Sequence, residues 1–296
     1  YNSNLIGLGK TVTVVEADEF DRSFLQLFPD IACITSMDAD HLDIYGDNAA
    51  IEASFCEFAE KINDKSNLFI AEGLPLEGKT VAVNQHADCK AFNVKIENGI
   101  YVFDAQIGDN VLLGLEFPLP GNHNLMNATM ALAMAYKYGI TEVQIAAALK
   151  SFKGIQRRFS YQIQSDDLVY IDDYAHHPTE INAVYQAVRE LFPEDEILAI
   201  FQPHLFSRTK DFADDFASSL SKFDKVLLLD IYPARELPMP GITSQWLLDK
   251  ISNNSKKLVS KENLITEIKL ANCKVVITIG AGDIGEMVSP IKEALS

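Results

Sequence analysis

After about residue 156 the chain settles into a strict rhythm, and that rhythm limits the fold more than any other feature. Short apolar runs rich in β-branched residues, Leu168–Ile171, Ile197–Phe201, Lys225–Leu229 and Lys274–Ile279, alternate with stretches of helical periodicity. One helix carries Ile181, Val184, Tyr185, Val188 and Leu191 on one face, with Pro178 near its start. Another carries Phe212, Phe216, Leu220 and Phe223. Apolar strands separated by amphipathic helices close into a doubly wound, mostly parallel sheet covered on both faces. The second half therefore predicts a doubly wound α/β domain over residues 156–296.

The first half, residues 1–155, reads as a separate domain built on a mixed sheet. Thr11–Val15 and Ile31–Thr35 are expected to be neighbouring parallel strands. From Leu68 to Phe117 short strands are broken by Gly73, Gly78, Gly99, Gly108 and Gly114, which suggests antiparallel or irregular pairing. The span His123–Tyr138 is rich in Ala, Met and Leu and predicts a largely buried helix.

Net charge is −17, so no broad basic surface for nucleic acid is expected. Basic residues nonetheless thicken at Lys153, Arg157 and Arg158, and again at His204, Arg208 and Lys210. Such clusters suit phosphate or carboxylate, or plain solvated surface. No apolar run reaches the roughly 18 residues that span a bilayer, and the opening Tyr1-Asn2-Ser3-Asn4 has no signal-peptide character. Cys33, Cys56, Cys89 and Cys273 are scattered, as reduced thiols of a cytoplasmic protein would be. Oligomeric state is not encoded in any visible pattern.

Ligands of open parallel sheets bind beyond the carboxyl ends of the strands, and this sequence places its chemistry there. Glu16-Ala17-Asp18-Glu19 follows one expected strand and Asp38-Ala39-Asp40-His41 the next. Carboxylates with one imidazole suit Mg²⁺, and they equally suit solvated loops and helix caps. Asn124 and Asn127 lie one turn apart at a helix start, where side-chain amides can meet an adenine edge or cap the helix. Asp172-Asp173-Tyr174-Ala175-His176-His177-Pro178 and Gln202-Pro203-His204-Leu205-Phe206-Ser207-Arg208 end later strands. The paired histidines lack further ligands at zinc-like spacing, while Arg208 offers a planar fork for carboxylate or phosphate.

Two glycine signals point elsewhere. Gly9-Lys10-Thr11 has the tail of a phosphate loop, but Asn4 stands where that loop needs its first glycine. Gly280-Ala281-Gly282-Asp283-Ile284-Gly285 matches a dinucleotide fingerprint. The sequence ends soon afterwards at Ser296, without a second strand and its ribose-binding acid, so close strand–helix packing is the expected use.

Seven segments in this order resemble the Mur ligase family across nearly the whole chain: VEADEFDRSFL at 15–25, DADHLDIYG at 38–46, GNHNLMNA at 121–128, GIQRRF at 154–159, DDYAHHPTE at 172–180, QPHLFSRT at 202–209 and YPARELPMPGI at 232–242. DDYAHHPTE with QPHLFSRT is similar to the alanine-adding members. The resemblance implies a central ATPase domain and a C-terminal Rossmann-like domain. It implies ATP and Mg²⁺ as cofactors, UDP-N-acetylmuramate and L-alanine as substrates, and an acyl phosphate formed during peptidoglycan precursor synthesis. By motif, Glu16 and His41 would ligate Mg²⁺, and Asn124 and Asn127 would contact adenine. Arg158 would face the nucleotide phosphates and Asp173 the ribose. Tyr174, His176, His204 and Arg208 would line the alanine and acyl-phosphate end. Leu205 stands where such ligases usually carry Arg. The family's phosphate loop is not visible upstream of Tyr1, so the 296-residue chain alone is expected to be inactive. Other readings are a murein-peptide recycling ligase, an NAD-dependent oxidoreductase or a binding-only protein.

Overall fold

The computed structural model describes residues 12–38, 42–97 and 99–296. Gly9-Lys10-Thr11, Asp40 and His41 lie outside them. The chain forms two compact units, one up to Val81 and one from Ala82 onward.

In the first unit β1 (Ala32–Ile34), β2 (Leu68–Ala71) and β3 (Lys79–Val83, which carries the chain into the second unit) pair in parallel. Helices α1 (Leu42–Tyr45) and α2 (Asn48–Glu60) lie between β1 and β2 in the chain, and the Asp47 side chain caps α2 by accepting from the Ala50 N–H. Phe24, Ile34, Phe58, Leu68 and Ile70 make the core. Val12–Val15 are not a strand: Val12, Val14 and Val15 are exposed, and β1 pairs with β2 rather than with them. A β-branched run becomes a strand only where a neighbouring backbone takes up its N–H and C=O groups.

The second unit begins with an antiparallel meander of β4 (Cys89–Glu97), β5 (Ile100–Ile107) and β6 (Asn110–Phe117). The stretch expected as antiparallel thus divides, its first two strands being parallel and the rest antiparallel. Helices α3 (Asn122–Tyr138) and α4 (Glu142–Ser151) cover the meander, burying Leu125, Leu132, Ile145 and Leu149 against Phe103, Leu115 and Phe117. Thr141 and Gln144 form a capping box that starts α4.

The remainder is a six-stranded sheet formed by β7 (Ser160–Gln164), β8 (Val169–Asp173), β9 (Ile197–Phe201), β10 (Lys225–Leu228), β11 (Lys256–Leu258) and β12 (Val275–Ile279). The order is β11-β10-β9-β12-β8-β7, all parallel except β7. Around it lie α5 (Pro178–Leu191), α6 (Phe206–Asp211), α7 (Ala213–Leu220), α8 (Ser244–Lys250), α9 (Lys261–Ala271) and α10 (Val288–Leu295). The doubly wound expectation is met, with the four expected strands within a residue or two of their sequence limits. Every residue of β8, β9 and β12 is buried, which is why those runs read as continuous apolar stretches rather than alternating ones. The helix expected through Phe212 is instead two, because Phe212 leaves helical geometry (φ −112°) between α6 and α7. No helix of the described residues is long and apolar enough to cross a membrane.

Candidate functional site

Parallel pairing brings the carboxyl ends of β8, β9, β10 and β12 to one edge of the sheet. The residues that follow them are Asp173–His177, Gln202–Arg208, Tyr232–Glu236 and Gly280–Gly285, so the later motifs converge as expected for a doubly wound fold.

Asp173 ends β8 with its side chain buried. One carboxylate oxygen accepts from the Phe159 N–H at 2.8 Å and the other from the Ala175 N–H at 2.8 Å. Burial pushes its pKa up to about 6, against the pull of these two donors and of Arg158. Both oxygens thus serve local backbone.

Glu180, in the first turn of α5, organises the residues that lead into the helix. Its carboxylate accepts from the His176 N–H (2.8 Å) and the His177 N–H (3.2 Å), and its other oxygen accepts from Arg158 at 3.2 Å. The His177–Glu180 exchange is a capping box with Pro178 at the first helical position. Although burial opposes ionisation, the His176 ring, the backbone N–H and Arg158 hold the Glu180 carboxyl below its ordinary pKa.

Rings then run in a row. Tyr174 meets His176 edge to face at 5.4 Å, His176 meets His204 at 6.1 Å, and His204 stacks on Tyr232 at 5.7 Å. The Tyr232 backbone forms a parallel bridge with His204, receiving the Leu205 N–H and giving its own N–H to the Pro203 carbonyl. Leu205 is buried and held at φ +68°, an uncommon conformation for a branched side chain. Beyond it, Glu236 binds the N–H and hydroxyl of Ser207, anchoring the start of the short helix that carries the buried Arg208.

Burial lowers the His204 pKa from 6.5 to about 4, helped by Arg208, His176 and Arg235 and opposed by Glu236, so its imidazole is neutral at pH 7. Its Nδ1 is buried without a hydrogen-bond partner. Since the unfolded chain takes up this proton first, the stability gained by a neutral His204 is complete above about pH 6.5. It is lost as pH falls towards 4. The stability advantage of wild type over His204→Asn, from urea titrations, should therefore shrink between pH 7 and pH 4.5. A constant difference would contradict this.

At the start of α3, Asn124 Nδ2 donates to the Pro120 carbonyl at 2.7 Å and Asn127 is exposed. The two amides share a helix face, one engaged locally and one facing solvent. Gly121 sits at φ +96°, and a Cβ there would meet His123 at 2.7 Å and Ala187 at 2.9 Å. The Tyr101 hydroxyl ties this turn to α5, accepting the Gly121 N–H and donating to Glu190, both at 3.0 Å.

Three participants were not legible as roles in the sequence: Arg157, Glu180 and Glu236. Glu180 carried a signal, since Glu three residues after a helix-capping position marks a capping box. For Arg157 and Glu236 only the tertiary structure supplies the partner. In the first unit, Glu16 is exposed. Among the described residues no group of three or more His, Cys, Asp or Glu gathers into a metal site. The dinucleotide reading of Gly280–Gly285 meets filled space, because a Cβ at Gly282 would lie 2.4 Å from the Gln202 side chain and one at Gly285 2.7 Å from the Arg157 guanidinium. Close packing is what those glycines permit.

A doubly wound α/β domain thus gathers arginines, histidines and a buried aspartate at its strand ends, where open parallel sheets bind their ligands. The Mur ligase middle domain matches residues 7–135, and the Mur ligase glutamate ligase domain matches residues 157–282. The chain belongs to the Mur ligase family. It is 68% identical over 296 residues to a UDP-N-acetylmuramate–L-alanine ligase of Flavobacterium johnsoniae, covering all of this chain and 66% of that protein. The chain therefore spans about two thirds of the relative's length. A UDP-N-acetylmuramate–alanine ligase from Thermotoga maritima superposes with TM-score 0.73 at 22% identity over 93% of this chain and 61% of its own. A MurF ligase from the same organism, in complex with ADP, superposes with TM-score 0.67 at 16% identity, covering 90% of this chain and 63% of its own. At such identities these two establish the fold.

Proposed function

We propose that the full-length protein uses ATP to join L-alanine to UDP-N-acetylmuramate in peptidoglycan precursor synthesis, with release of ADP and phosphate. The observation that carries this reading is the 68% identity to a ligase of that name. It is supported by the convergence of DDYAHHPTE and QPHLFSRT on one sheet edge.

In this reading a muramate carboxylate oxygen attacks the γ-phosphorus of ATP and ADP leaves. The alanine nitrogen then attacks the acyl carbon, the bond to the phosphate oxygen breaks, and the nitrogen gives up a proton. Bringing anions together is the main obstacle, and positioned cations lower it. Arg158 serves the nucleotide phosphates, Asn124 and Asn127 the adenine, and Asp173 the ribose. Tyr174, His176, His204 and Arg208 serve the alanine and acyl-phosphate end. A neutral His204 beside cationic Arg208 favours the free amine over the ammonium form, and only the free amine attacks. Residues 1–155 and 156–296 act as the central and C-terminal domains. The family's Mg²⁺ would supply charge neutralisation at the phosphates. Glu16 and His41 are its proposed ligands; among the described residues no group of three or more His, Cys, Asp or Glu gathers around Glu16.

The recycling alternative is separated by acceptor choice. Full-length protein given ATP, UDP-N-acetylmuramate and equal free L-alanine and murein tripeptide should form the alanyl product, read by mass spectrometry. Preferential tripeptide addition would overturn the reading.

A further inference from the structure

The adjacent arginines of GIQRRF point to different places. Arg158 reaches outward to Glu180, with its side chain 47% exposed. Arg157 turns inward. Its Nε donates to Asp172 at 3.2 Å and its Nη2 to the Gly280 carbonyl at 2.6 Å. Asp172 is itself 1% exposed and also accepts from Thr278 at 2.7 Å, so the Arg157 charge is matched inside the protein. A Cβ at Gly285 would strike the same guanidinium at 2.7 Å, and only glycine leaves room for it.

The turn holding Arg158 is backbone-strained. Arg157 has φ +61° and Phe159 φ +45°, left-handed conformations that are costly for residues with a side chain and persist only when their surroundings fix them. The surroundings do so. The Tyr174 N–H donates to the Arg157 carbonyl at 2.6 Å, the Phe159 N–H donates to Asp173 at 2.8 Å, and the Phe159 ring is buried in the core of the sheet. The Tyr174 ring lies 5.0 Å from the Arg157 guanidinium and 5.7 Å from that of Arg158.

We infer that Arg157 is a positioning residue for nucleotide binding: by locking this turn to β8 and β12 it fixes where Arg158 and Tyr174 stand. The inference rests on the reading of Arg158 as a phosphate contact. Arg157 acts through Arg158 rather than by touching ligand, because its Nε and Nη2 donate to Asp172 and the Gly280 carbonyl.

The test is a double-mutant cycle on the full-length protein, measuring binding of a non-hydrolysable ATP analogue by calorimetry. Arg157→Ala should weaken binding roughly tenfold, and in an Arg158→Ala background the same change should cost less than about twofold. Arg157→Lys should also weaken it, because an ammonium cannot span both acceptors. Equal losses in both backgrounds would mean that Arg157 acts independently of Arg158, which overturns the inference. Unchanged binding in Arg157→Ala, with Arg158→Ala impaired, overturns the inference alone. Unchanged binding in Arg158→Ala sinks the underlying phosphate-contact reading and the inference with it. Should Arg157→Ala fail to fold, Gly285→Ala displaces the guanidinium without removing it. Weakened binding that disappears in the Arg158→Ala background supports the inference, and unchanged binding overturns it.

Discussion

In the full-length protein, Arg208→Ala should lower kcat/KM for ligation by ~10²–10³-fold, the loss typical of removing one preorganised charge donor. Arg208 is 8% exposed on α6, a helix whose start is anchored by Glu236 on Ser207 and whose entry is tied to Tyr232. A buried arginine on an anchored helix turn is restricted before substrate arrives, and in this reading that preorganisation is where its worth lies. Arg208→Lys should recover only part of the loss, because a point charge on a flexible stem does not reproduce a planar fork. Steady-state kinetics, with the thermal midpoint measured alongside, separates this from unfolding. Near-normal turnover in the alanine variant would remove Arg208 from the site.

The largest stability effect is expected at the end of β9. Phe201 is fully buried between β10 and β12, with its ring 5.5 Å from that of Phe216 on α7. Its carbonyl also receives the Leu229 N–H. Phe201→Ala should cost about 3–5 kcal/mol, combining lost apolar burial with a cavity that a rigid sheet cannot close. Urea unfolding of this unit should show the loss, while Phe201→Leu should retain most of the stability. A loss under about 1 kcal/mol for the alanine variant would contradict the packing described for this layer.

What the sequence revealed follows from which forces were local. The strand–helix alternation after residue 156 was legible because each element carries its own periodicity and turn residues, as with Pro178 at the start of α5. Strand order was not, since β12 inserts between β9 and β8 only when the whole sheet assembles. Val12–Val15 had the composition of a strand, but pairing is a tertiary property and they form none among the described residues. The motif residues at strand ends were recognisable by type, whereas their division of labour was not. Nothing in two consecutive arginines says which one turns to the buried Asp172 and which reaches Glu180. Close packing was the expected use of Gly280–Gly285, whereas the side chains that pack there, Gln202 and Arg157, could be named only from the tertiary structure.

The central claim is tested most directly by stoichiometry. Full-length protein with ATP, UDP-N-acetylmuramate and radiolabelled L-alanine should yield ADP, phosphate and alanyl product in equal amounts, with no product when any one substrate is omitted. Amide formation without ATP, or release of AMP in place of ADP, would contradict an acyl-phosphate ligase.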